Sequence, residues 1–224
     1  MTHSNHRRGS RESLMGDWVV FTSGAGRIKD RSKHRKQIEI LMRHNPVGLG
    51  TSTLDGGSSR RLRYVKGWDR SKDSGIQKVY SLEEIKSHKD LGAGSAVYTN
   101  FEDVKAVLKE LKEADLGFSI VYSGIFDKVF EACEEAGQGP HTVNLSAETF
   151  GKVGLLPEPK ILELTTMCGH HMVSQYLVKH LCGQVKRGKM KAQDAAVEMA
   201  KQCTCNFFNV VRAEQLINEY IKSA

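Results

Sequence analysis

No run of apolar residues in this chain is long enough to cross a bilayer. The first residues, Met1 to Arg11, are polar and rich in His and Arg, without the apolar stretch of a secretory signal. Cysteine is scarce and odd in number. Five thiols in 224 residues do not make a disulfide framework and, without an export signal, read as reduced thiols of a cytoplasmic protein. Aromatic residues are 7% of the chain, and Phe21, Tyr64 and Trp68 beside the basic region form no recognisable RNA-binding signature. No internal repeat is apparent. These absences exclude a membrane-spanning protein, a disulfide scaffold and a repeat array.

What remains is a chain of 39% hydrophobic residues, enough for one sizeable core or one domain with a smaller appendage. Its net charge of +7 is unevenly spread. Residues 1–78 hold 17 Lys and Arg against 7 Asp and Glu, and the rest holds 16 against 19. All the excess basicity lies in the first third, which is also rich in Gly and Ser. Two readings stay open: a solvated basic segment, or a surface for phosphate on nucleic acid or on an anionic small molecule.

Residues 1–13 read as a disordered tail and 14–78 as a basic N-terminal segment. Within that segment Trp18-Val19-Val20-Phe21 is a strand candidate. Gln37 to His44 is a helix ended by Asn45-Pro46. Gly48 to Thr53 and Asp55 to Arg61 read as a long flexible loop, and Leu62 to Val65 as a further strand candidate. An α/β core follows over 79–160. Ala96 to Thr99 is a strand, and Asn100 caps a helix whose Val104, Val107, Leu108 and Leu111 fall at helical spacing. Phe118 to Tyr122 is the next strand, after a break at Gly117. An amphipathic helix (Ile125, Val129, Phe130, Cys133) closes at Gly137, and Thr142 to Leu145 is a third strand. Residues 161–224 form a Cys/His-bearing helical region. It opens with Ile161 to Thr166 as a last strand. Helices follow near 170–187, 191–203 and 211–222, the first pair turning at Arg187-Gly188-Lys189. The predicted fold class is α/β: a βαβαβ core with a C-terminal helical layer and a basic, Gly/Ser-rich N-terminal segment.

Chemistry concentrates in two short motifs, Cys168-Gly169-His170-His171 and Cys203-Thr204-Cys205. In a helix from 170 to 187, Cys182 would lie ~21 Å beyond Cys168, outside any one small site. The next helix folds back antiparallel and returns Cys203 and Cys205 to the end that bears Cys168. Cys182 and Cys133 therefore read as core cysteines. Three thiolates and an imidazole, with His171 or His170 as the fourth group, suit an iron–sulfur cluster or, alternatively, zinc. Metal ligands are then Cys168, Cys203, Cys205 and His171. The competing chemistry is thiol catalysis: Cys168 is a nucleophile activated by a helix N-terminus and by His170 or His171, with Cys203 or Cys205 resolving. Cys-Gly-His-His resembles the Cys-Gly-His-Cys of thioredoxin-fold oxidoreductases over four residues. His171 stands where that motif has its second cysteine, and the surrounding elements follow another order.

Other motifs are thinner. Gly24-Ala25-Gly26 lacks the third glycine of a dinucleotide fingerprint. Gly48-Leu49-Gly50-Thr51-Ser52, with Arg60, Arg61 and Arg63, has donors for phosphate but not the Gly-Lys-Ser/Thr ending of a P-loop. In a parallel sheet, Ser123 and Asn144 would fall with Cys168 near one edge, where α/β folds bind ligands. The leading expectation is a cytoplasmic metalloprotein with a Cys/His centre, most simply an iron–sulfur one, acting in small-molecule redox, lyase or sulfur-transfer chemistry. Catalytic residues would be Cys168, His170 and His171, with Ser123, Asn144, Arg60 and Arg61 binding an anionic cofactor or substrate. The alternatives are a nucleic-acid or nucleotide-binding module with structural cysteines, and a cysteine-thiol enzyme.

Overall fold

The structure, a computed structural model, describes residues 7–23, 27–53, 61–72, 78–140, 142–143 and 149–223. It is mixed α/β, built on a five-stranded sheet. The strands are β1 (Trp18–Ser23), β2 (Gly48–Thr53), β3 (Arg61–Val65), β4 (Leu91–Tyr98) and β5 (Ser119–Ser123). Their order is β3-β2-β4-β1-β5, and every neighbouring pair is antiparallel. Successive residues of a strand face opposite sides, so the register sorts the apolar residues into two layers. Val19 lies opposite Val97 on one face, while Val20 lies opposite Ala96 and Trp18 opposite Tyr98 on the other.

The helices are α1 (Arg11–Leu14), α2 (Arg31–Arg43), α3 (Leu82–Ser87), α4 (Phe101–Ala114), α5 (Phe126–Glu135), α6 (Pro159–Thr166), α7 (Gln175–Lys186), α8 (Ala192–Lys201) and α9 (Val210–Ser223). One sheet face, through Trp18, Val20, Leu49, Ala96 and Tyr98, packs on Ile38 and Leu41 of α2 and on Val104 and Leu108 of α4. The opposite face, through Val19, Val65 and Val97, packs on Leu164 of α6, Val178 of α7, Met199 of α8 and Ile217 of α9. Each such side chain contributes about 1.5–3 kcal/mol when fully buried, so both helical layers hold the sheet. Asn100 caps α4 by accepting from the Glu102 N–H at 3.0 Å. Gly137 and Gly188 follow α5 and α7 with φ of 61° and 68°, the left-handed conformation that ends a helix. Among the described residues no helix is long and apolar enough to cross a membrane.

Several sequence expectations change here. The sheet is antiparallel because β1, from the N-terminal third, inserts between β4 and β5; those two strands run the same way without being neighbours. Gly48 to Thr53 is strand β2, not loop. Ile161 to Thr166 is helix α6, with Pro159 at its first turn and Ile161, Leu164 and Thr165 buried at helical spacing. Thr142 and Val143 are not in a strand, and the rest of that predicted third strand lies outside the described residues. β4, α4, β5 and α5 follow one another in the predicted alternation, and the third strand that would complete βαβαβ is not seen among the described residues.

Candidate functional site

Two turns on one sheet face carry the clustered cysteines. Helix α6 ends at Thr166, and the chain reverses through Cys168-Gly169-His170-His171. There the His171 N–H donates to the Cys168 carbonyl at 2.8 Å, and His171 takes a φ of 52°. Helix α8 ends at Lys201. The Cys203 N–H then donates to Ala200 O at 3.0 Å and the Asn206 N–H to Cys203 O at 3.1 Å, with Asn206 at φ 59°. Buried polar groups fasten this second turn to the sheet. Arg63 Nη2 donates to Ala200 O at 3.1 Å and to Cys203 O at 2.9 Å. Asn206 Nδ2 donates to Leu49 O and Tyr64 O, both at 2.8 Å. Gly50 admits the turn: a Cβ there would stand 3.2 Å from Asn206 Cβ and 3.3 Å from the Cys205 carbonyl oxygen.

The three thiols belong to one buried cluster. Cys203 Sγ and Cys205 Sγ are 3.9 Å apart, and Cys205 Sγ is 3.2 Å from Nδ1 of the exposed His170. The neighbouring Cys203 and Cys205 side chains, and then the backbone N–H groups of Met172 and His170, pull the Cys168 thiol well below the ordinary range against the opposing effect of burial. Cys203 behaves inversely: its bonds to Cys168 and Cys205, with burial, push it well above the ordinary range. The two shifts run in opposite directions, and an imidazole stands on Cys205. Cys182 and Cys133 stand apart. Cys182 is raised to about 11 by burial in the core beneath α7, and Cys133 is raised by burial against the opposite layer.

A buried ion network, which sequence reasoning missed, borders the thiols. Arg7 donates to Asp17 and to the carbonyl of Phe207, two residues beyond Cys205. Asp17 also accepts from Arg212 Nη1 at 2.8 Å and Asn209 Nδ2 at 3.0 Å. Arg212 Nη2 continues to Glu163 at 3.2 Å and to Arg8 O at 2.7 Å. The Arg8 N–H donates to Thr166 Oγ1 at 3.0 Å, two residues before Cys168. Burial, then the charge of Arg212, lowers Arg7 to about 9, while Cys203, Cys168 and Cys205 oppose the fall. Arg7 lies in the stretch read from sequence as a tail, and no motif marks it.

The expected metal centre is corrected by the geometry. Among the described residues no group of three or more His, Cys, Asp or Glu side chains could hold a metal ion. The ligand set of Cys168, Cys203, Cys205 and His171 is not assembled, and the iron–sulfur metalloprotein reading falls with it. Two features give the reason. The sulfurs are engaged with one another through hydrogen bonds, and the charge bordering them is the guanidinium of Arg7, which repels a cation. His170 brings an imidazole to the thiols, its Nδ1 3.2 Å from Cys205 Sγ. Nor does a helix N-terminus activate Cys168: it follows α6, and α7 begins only at Gln175. Cys203 and Cys205, and after them backbone N–H groups of the turn, lower its thiol instead.

The remaining candidates disperse. Ser123 is buried and lines a cleft of about 800 Å³ beside β5, together with Arg7, Phe126, Phe130 and Cys133; none of the three clustered cysteines lines it. Asn144 and Arg60 lie outside the described residues, and Arg61 is placed only as the first residue of β3. Gly48 and Gly50 pack against Asn206 rather than forming a phosphate cradle. Several arginines of the basic third serve the fold. Arg31 pairs with Asp90, Arg43 with Glu110, and Arg35 donates to the Lys86 and His88 carbonyls. No family model, curated protein or solved structure matches this chain.

Proposed function

We propose that the protein carries out thiol–disulfide exchange, with Cys168 as the attacking thiolate. What supports this reading is one arrangement: Cys168 is buried in the same cluster as Cys203 and Cys205, whose sulfurs are 3.9 Å apart, and Cys205 Sγ is 3.2 Å from an exposed imidazole. Cys168 Sγ attacks a disulfide on a partner molecule, breaks its S–S bond and releases one thiolate. Cys205 then gives its proton to His170 and attacks Cys168 Sγ. A Cys168–Cys205 disulfide forms and the second partner thiolate leaves. The dithiol is oxidised by two electrons and the partner disulfide is reduced by the same two. Cys168 is fully buried, so the exchange requires the turn at 169–172, which carries the exposed His170, His171 and Met172, to swing aside.

The test equilibrates reduced protein with oxidised glutathione and maps disulfides by differential alkylation and mass spectrometry. A Cys168–Cys205 link that disappears in Cys168→Ser is the expected result. Thiols that all stay reduced under excess oxidised glutathione, or oxidation that proceeds equally in Cys168→Ser, would refute the reading.

A further inference from the structure

We infer that the open edge of β5 binds an extended peptide segment of a partner, with apolar side chains at alternate positions and an acidic one at the Ser123 end. β5 is the last strand of the sheet order and pairs only with β1. Among the described residues its backbone bonds no other segment. The opposite edge is met: the Tyr80 N–H donates to the Arg63 carbonyl of β3 at 2.8 Å. An edge strand presents a row of unpaired N–H and C=O groups, and proteins blunt such edges with charge, proline or a bulge. Ser119-Ile120-Val121-Tyr122-Ser123 has no charge and no proline, and its register with β1 runs without a break. All five residues line the cleft of about 800 Å³, a volume within the range of ligand sites.

The two sides of the cleft differ in character. Ile120 and Tyr122 pack on the layer of α4 and α5, as does Val129. Phe126 and Phe130 of α5 also line the cleft; their rings stack at 6.0 Å and each residue is 41% exposed. A strand laid along β5 turns every second side chain to that face, where apolar groups cover the two rings. The N-terminal arm lies toward the other layer, since Arg7 bonds the carbonyl of Phe207 there. Arg7 stands at the Ser123 end: Val19 lies opposite Ser123, and Asp17, two residues earlier, accepts from Arg7. Arg11 joins it by pairing with Asp127 in the first turn of α5. Asp17, the acid lining the cleft, is wholly inaccessible, whereas 54% of the Arg11 side chain is exposed. An exposed pair such as Arg11 with Asp127 contributes little and yields to a carboxylate on a ligand. An apolar small molecule would leave the N–H and C=O groups of the edge unmet. A second copy would bring a β5 recessed in the same kind of cleft, and two recessed strands do not reach each other. A separate extended segment meets both demands. None of the three clustered cysteines lines the cleft, so peptide binding there is independent of the thiol chemistry.

The test pans a phage-displayed library of short random peptides against the full chain, then measures synthetic copies of the enriched peptides by fluorescence anisotropy. Enriched peptides should alternate apolar residues and carry an Asp or Glu near one end. N-methylation of alternate peptide amides in one frame removes the donors to β5 and should weaken binding at least about tenfold. In the other frame the amides face away, and affinity should hold. Phe130→Asp puts a charge on the apolar wall and should weaken binding by a similar factor, and Arg11→Glu should weaken it several-fold. N-methylation leaves the protein untouched, so that arm stands even where a variant does not fold. No enrichment over an uncoated surface overturns the inference, and so does binding that ignores the N-methyl frame or is equal in Phe130→Asp. Dimers in sedimentation velocity that Phe130→Asp dissolves would place a second copy on the edge and overturn it as well.

Discussion

Asp17→Asn tests the buried network that joins the two ends of the chain. The Asp17 side chain is wholly inaccessible and accepts from Arg7, from Arg212 at 2.8 Å and from Asn209 at 3.0 Å. The amide keeps the shape but removes the negative charge, leaving two buried guanidiniums without the anion between them. Arg212 retains Glu163, which is itself raised by burial and so holds its charge less firmly. Removing one partner of a buried ion pair costs about 3–5 kcal/mol. Charge-assisted hydrogen bonds of about 1.5–3 kcal/mol each are contained in that sum rather than added to it. Against a native stability on the order of 5–15 kcal/mol, the variant loses a large fraction of the whole. For a chain of this size each kcal/mol shifts Tm by about 2–4 °C, so a fall of about 6–20 °C is expected. Urea and thermal unfolding followed by circular dichroism measure both quantities. A loss below about 1 kcal/mol would show that the network is dispensable and that Arg7 and Arg212 find other partners.

Part of this architecture was legible because it is local. The spacing of Val104, Val107, Leu108 and Leu111 marks α4, and Gly137 and Gly188 end their helices as expected. The short turn at Gly188 makes α7 and α8 antiparallel, which is why Cys203 and Cys205 come back to the turn of Cys168 and His170. Non-local choices were not legible. The position of β1 between β4 and β5 depends on pairing Val19 with Val97 and with Ser123, partners some 80 to 100 residues away. Ile161 to Thr166 is apolar enough for a strand or a helix over so few residues. Pro159 at the first turn was the overlooked signal.

The glycines misled for a related reason. Gly48 and Gly50 suggest a loop by composition, but a spacing of two puts both on one face of a strand. There they clear space for Asn206 and the Cys205 carbonyl. Arg7 carried no signal at all. A lone arginine in a polar stretch reads as solvated, and only the tertiary arrangement reveals that Asp17 and the Phe207 carbonyl take it inside. Cys203 and Cys205 do come to the turn of His170, yet spacing cannot tell a metal cavity from thiols hydrogen-bonded to each other. Hydrogen bonds and the sign of the bordering charge decide that.

Two further outcomes follow. Gly50→Ala drives a Cβ to 3.2 Å from Asn206 and 3.3 Å from the Cys205 carbonyl, and a tightly packed site resists at a cost of roughly 1–3 kcal/mol. Stability should fall by that amount and Cys205 should alkylate faster as its turn lifts; no change in either measurement would refute the contact. The second outcome concerns alkaline pH. Cys182 is raised from 9.0 to about 11, so between those values the unfolded chain has lost the proton that the native chain keeps. Stability therefore falls as pH rises above the unfolded value, by up to about 1.4 kcal/mol per pH unit, until the native thiol itself ionises. Cys203, also raised, acts in the same direction. Cys168 is depressed and acts oppositely: its contribution is complete above the ordinary thiol value and is lost as pH falls through its native one. Cys182→Val removes one alkaline contribution and leaves the cluster intact. Between pH 9 and 10 the urea midpoint of the parent should drop more than that of the variant; equal drops would mean that burial does not hold the Cys182 proton.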